Sequence, residues 1–114
     1  MLLEQGDKVH IMTRRKFNDD LRRHFAGKVI SCGEAAVKAK GYVFVLDPRE
    51  NRYIKQPELR TRIFSLVDAG NIINVIPSGT DIEEISYKLS ADNILVVTDG
   101  GGFALNVNEF GTRF

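Results

Sequence analysis

Alternation of apolar and polar residues with a period of two is the feature that most limits what this chain can form. It is clearest in the last third. Ile85, Tyr87 and Leu89 alternate with Ser86, Lys88 and Ser90, and Phe103, Leu105 and Val107 alternate with Ala104, Asn106 and Asn108. Successive side chains on a strand point to opposite faces, so each run describes a ribbon with one wet and one buried side. Between them, Ile94-Leu95-Val96-Val97 is apolar throughout, as a central strand is. Ala91-Asp92-Asn93 and Asp99-Gly100-Gly101-Gly102 divide the three runs with turn-forming residues, which predicts an antiparallel meander.

Composition points the same way. Ten Val, ten Ile, seven Phe and three Tyr outnumber nine Leu, seven Ala and two Met. Branched and aromatic side chains lose χ1 freedom in helices and pack well on pleated surfaces. Over residues 1–114 this reads as one mainly β domain, a small antiparallel barrel or sandwich with one or two short helices. Barrel and sandwich demand the same alternation, and an α+β arrangement is the alternative.

Upstream, Gly6 to Thr13 reads as a strand with Val9 and Ile11 on one side. A second runs from near Phe25 to Cys32. A third, Ala36 to Leu46, is expected to bend or bulge at Gly41. Asp47-Pro48-Arg49-Glu50-Asn51 is turn chemistry, and Tyr53-Ile54 and Arg60 to Val67 follow as extended segments. Asp68-Ala69-Gly70-Asn71 then reverses the chain into Ile72 to Ile76, a hairpin pattern. Phe17, Leu21 and Phe25 repeat every four residues, which predicts a short helix capped by Asn18, with Asp19 and Asp20 at its start, Arg22 and Arg23 near its end, and His24 there too. Thr80-Asp81-Ile82-Glu83 fits a capping box for about one helical turn.

The usual chemical signatures are missing. Gly100-Gly101-Gly102 runs into Phe103-Ala104-Leu105, a strand rather than the helix a phosphate loop needs, so it reads as a turn. His10, His24 and Cys32 do not fall at paired metal-ligand spacings, and no metal or cofactor is expected. Cys32 reads as a small core residue. Asp19-Asp20 and Glu83-Glu84 are neighbours that point in different directions on a helix, which suits first-turn charges better than a general acid and base. No strand-to-helix nucleophile elbow is visible. A catalytic site assembled from scattered residues leaves no local signature, so catalysis stays open as one reading.

A single Cys suits a reducing, cytoplasmic setting. No uncharged stretch approaches the ~20 residues that span a bilayer, and the apolar run at Met1-Leu2-Leu3 is too short for a signal peptide. Charge is more informative. Residues 1–62 hold 14 Lys or Arg against 8 Asp or Glu, while residues 63–114 hold 2 against 7. That asymmetry points to an anionic partner for the basic half, or to opposed faces that favour self-association; folding that interleaves the halves would cancel it. The basic candidates are Arg14 and Arg15 before the predicted helix, Arg22 and Arg23 within it, Lys40, and Arg60 and Arg62 on one face of a strand.

Within that half, Lys40-Gly41-Tyr42-Val43-Phe44-Val45-Leu46-Asp47 partly resembles the aromatic strand motif of RNA-recognition and cold-shock domains, which runs basic, Gly, aromatic, small, aromatic, Val. The resemblance implies that Tyr42 and Phe44 stack on single-stranded RNA bases. Val43 stands where those families carry Gly or Ala, and Asp47 where they carry an aromatic. Burial of both rings in a core is the competing account. The leading expectation is a non-catalytic binding or self-assembly module, with single-stranded nucleic-acid binding and a small enzyme as alternatives.

Overall fold

A computed structural model describes residues 2–15, 17, 20–67, 70–89 and 94–107. The chain is mainly β, with two antiparallel sheets and one 3-10 turn among these residues. β1 (Lys8–Thr13), β2 (Arg23–Cys32), β3 (Ala36–Asp47), β4 (Arg52–Lys55), β5 (Arg60–Ser65) and β6 (Asn71–Ile76) form the large sheet. β7 (Ser86–Leu89), β8 (Leu95–Thr98) and β9 (Ala104–Asn106) form the small one. The large sheet runs β4-β3-β2-β1-β6, with β5 also on β3. β3 is long enough to hold two partners: residues 44–47 pair with β4 and residues 36–41 with β5.

Each face of the large sheet covers its own core. Met12, Ala26, Tyr42, Phe44 and Ile76 meet Ile85, Leu95, Val97 and Val107 where the small sheet lies over the large one. On the other face Val9, Ile11, Phe25, Val29, Val37, Ala39 and Val43 form a second cluster, closed by the curl of the sheet and by Leu3, Phe64 and Leu66. The rings of Phe25 and Phe64 lie 5.1 Å apart across it. The result is sandwich-like, with a curled sheet that stops short of a closed barrel.

One glycine pair permits the curl. Gly27 and Gly41 are direct cross-strand partners. A Cβ on Gly27 would sit 2.5 Å from the Lys40 carbonyl oxygen, and one on Gly41 would collide with that of Ala26. Only glycine lets β2 and β3 approach this closely on the inner face.

The expected meander is present as β7-β8-β9, and Val97 on its central strand is fully buried. Its Ala91-Asp92-Asn93 turn, together with Ser90 and Asn108, lies outside the described residues. The Asp99–Gly102 reversal carries its own hydrogen bonds: Gly101 N–H donates to Asp99 Oδ1 at 2.9 Å and Gly100 N–H to Thr98 Oγ1 at 3.1 Å. Gly100 takes a φ of 83°, which suits glycine.

Three expectations need correction. The helix predicted over Phe17, Leu21 and Phe25 does not form: residues 20–22 are irregular, β2 already begins at Arg23, and Phe17 and Leu21 are exposed while Phe25 is buried. Its proposed cap Asn18, and Asp19, lie outside the described residues. Strand pairing on both sides of β2 satisfies more backbone than one isolated turn would, and it places His24 within a strand rather than at a helix end. Second, β6 does not form a hairpin with β5. It pairs with β1, which puts Ile73 opposite Ile11 beside the inner core; Asp68 and Ala69 of the proposed turn lie outside the described residues. Third, the turn at Ile82–Glu84 is capped by Asp81, whose carboxylate accepts from Glu83 N–H at 3.1 Å. The Glu83 carboxylate is instead taken by Tyr42, so the reciprocal box does not close. No helix among the described residues is long and apolar enough to cross a membrane.

Candidate anion-binding groove

Registers of the large sheet line up a row that no local motif announces. Lys8 faces Lys28, Lys28 faces Lys40, and Lys40 faces Thr61 on β5. Directly opposed residues share a face, so three lysines stand side by side across β1, β2 and β3, just beyond the part of that face that carries His10 and Tyr42. Like charges placed directly opposite one another oppose sheet formation. The fold holds this row together because the residues on either side of it are tied into the two cores.

The row lies along a groove of about 770 Å³ whose lining includes Tyr42, Leu59, Asp81 and Glu83. Lys8 is fixed, its Nζ donating to the Thr80 carbonyl at 2.6 Å. Lys28 and Lys40 are exposed, and neither has an ion pair among the described residues. The acidic wall is internally engaged. Tyr42 Oη donates to the Glu83 carboxylate at 2.8 Å, and Lys55 Nζ donates to the Glu83 carbonyl at 2.8 Å while resting 4.1 Å from the Tyr42 ring centroid. Accepting from the phenol, the Glu83 carboxylate raises the Tyr42 pKa. Asp99 behind this wall accepts from the N–H groups of Asp81 and Gly101, which lowers its pKa.

A second polar feature lies between the sheets. Tyr87 Oη is 2.8 Å from His10 Nε2 and 2.6 Å from His24 Nδ1. Tyr53 stacks on both His24 and Tyr87, with centroids at 4.4 and 4.6 Å. Burial pushes His10 down to about 4; burial, then the positive influence of His10 and Arg22, pushes His24 to about 3. Burial likewise holds the Tyr87 proton on well above the ordinary range. With both imidazoles neutral, the hydroxyl donates to one and accepts from the other. His10 Nδ1 and Nδ2 of its cross-strand partner Asn74 are both buried without a partner among the described residues. None of these rings lines the lysine groove.

The nine residues singled out from the sequence fall in three places. Arg14, Arg15 and Arg23 line a cleft of about 230 Å³ with Thr13, Asp20 and Leu21, and Arg22 lies beside Arg23. Lys28 is five residues further along β2 than Arg23, roughly 17 Å at 3.3 Å per residue. Arg60 and Arg62 sit on β5 opposite Gly41 and Ala39, on the face away from Lys40. Tyr42 and Phe44 share the face of Lys40 but belong to the core between the sheets, with Phe44 only 1% exposed. Lys8 and Lys28 were missed because each is a lone lysine in its own strand, and only the register makes them neighbours. Among the described residues, no three His, Cys, Asp or Glu side chains come together as metal ligands. Comparison with protein-family models, with curated proteins and with solved structures gives no match.

Proposed function

We propose that this chain is a non-catalytic binding module whose lysine row takes an anionic ligand bearing phosphate or clustered carboxylate groups. The direct opposition of Lys8, Lys28 and Lys40 carries the reading. Three lysines set side by side at a groove repel one another until an anion neutralises them, and a multivalent anion gains from all three. Tyr42 and Phe44 are committed to packing, so single-stranded nucleic acid would enter this reading through its phosphates rather than by base stacking. A catalytic reading is less well supported, because the strongest pKa shifts belong to His10, His24 and Tyr87, between the sheets and away from the groove.

Titration with inorganic tripolyphosphate at low salt, followed by amide NMR, tests the proposal. Shifts concentrated at residues 8, 28 and 40, weakened by added salt and lost in a Lys28→Glu, Lys40→Glu variant, are expected. Uniform small shifts, or binding that survives the double reversal, would overturn it.

A further inference from the structure

The edge of β5 adjoins the lysine row, with Thr61 standing opposite Lys40, but residues 60–63 do not line the groove. β5 pairs with β3 on one side, and no strand among the described residues pairs with it on the other. Arg60, Thr61, Arg62 and Ile63 are all exposed. On such an edge alternate N–H and C=O groups point away from the sheet and offer a template for another strand.

From these observations we infer that the edge of β5 from Arg60 to Ile63, short of Ser65 whose carbonyl accepts from Asn71 Nδ2 at 3.2 Å, accepts an extended acidic segment of a partner protein as an added strand. The register specifies its chemistry. Arg60 and Arg62 share the inner face, opposite Gly41 and Ala39; Thr61 and Ile63 share the outer face, opposite Lys40 and Lys38. An added strand therefore meets two guanidinium groups as immediate cross-strand neighbours on one face. On the other it meets Ile63, 67% exposed, with Lys38 and Lys40 two strands away at roughly 10 Å. Carboxylates at alternate positions would meet Arg60 and Arg62, and an apolar residue one position beyond the carboxylate at Arg62 would cover Ile63. Main-chain bonds supply affinity in this mode, and the alternate side chains supply selectivity.

Charge decides the occupant. A second copy of β5, aligned so that matching faces coincide, would set Arg against Arg, which is destabilising. The exposed Arg60–Glu58 pair, at 3.1 Å, is weak enough to yield to an incoming carboxylate held by backbone bonds.

The probe is a capped octapeptide of alternating Glu and Val. Binding with slowed exchange of β5 amides is expected. Affinity should fall at least tenfold in Arg62→Glu, fall less in Arg62→Gln, and vanish for the same peptide N-methylated at alternate backbone positions. Lys28→Gln should leave this binding unchanged, so failure of the groove proposal and failure of this one are separable. Equal binding of the N-methylated peptide, indifference to Arg62→Glu in a variant whose circular dichroism matches wild type, or β5 protection in the peptide-free protein that tracks a dimer by light scattering would each overturn it.

Discussion

Tyr87 on the small sheet and His24 on the large one are joined by a 2.6 Å hydrogen bond, and the same hydroxyl reaches His10 at 2.8 Å. This polar link runs through an otherwise apolar interface. Tyr87→Phe removes it while keeping the ring, and leaves a buried nitrogen on each imidazole without its partner. The expected cost is about 1–3 kcal/mol, read from urea denaturation. A midpoint equal to wild type would show that the link is energetically idle.

The same pair of imidazoles makes stability depend on pH. Burial lowers His10 to about 4 and His24 to about 3, from an ordinary 6.5. Unfolding returns both towards 6.5, so between about pH 6.5 and 4 the unfolded chain binds protons that the folded chain refuses. Stability is complete above about pH 6.5 and declines as pH falls, with a slope approaching 1.4 kcal/mol per pH unit for each ring, by order of magnitude. Denaturation at pH 7.5 and pH 5 checks this. The decline should be shallower in His24→Phe, and identical stability at both values would refute it.

Val97 is fully buried at the centre of the small sheet. Val97→Asp places a carboxylate there with no counter-charge in the surrounding apolar cluster, at a cost of about 4 kcal/mol or more. A thermal melt by circular dichroism should show loss of the cooperative transition or a large drop in Tm.

Gly41→Ala forces a methyl group into the Ala26 carbonyl. Because the obstacle is backbone, β2 and β3 must separate, and a loss of about 2 kcal/mol or more is expected. Ala at Gly79, where a Cβ meets nothing within 4 Å, is the matched control and should stay close to wild type.

Repulsion within the lysine row has its own signature. Lys28→Gln removes the middle charge and should raise stability by a few tenths of a kcal/mol at low ionic strength, roughly the scale of one cross-strand pair. The gain should shrink in molar salt, where the Debye length falls to about 3 Å. A salt-independent change would point to packing rather than charge.

The small sheet was legible because every cue for it is local: Ile85, Tyr87 and Leu89 repeat at the strand period, and Asp99-Gly100 marks a reversal within a few residues. The start of β2 was misread because Phe17, Leu21 and Phe25 satisfy a helical spacing that the ladder on both sides of β2 overrides. Aromatic spacing around Tyr42 and Phe44 was visible, but its meaning depended on whether another layer covers that face. The small sheet does.

From its residues alone, this chain is committed to short antiparallel strands broken by glycine and aspartate turns, because side-chain alternation and turn conformations are short-range properties. Tertiary structure alone decided that β6 joins β1, that Lys8, Lys28 and Lys40 stand abreast, and that His10 and His24 share one phenol. Each of those depends on register between segments far apart in the chain. Register is chosen by which apolar faces can be buried together, a choice made by the folded molecule as a whole.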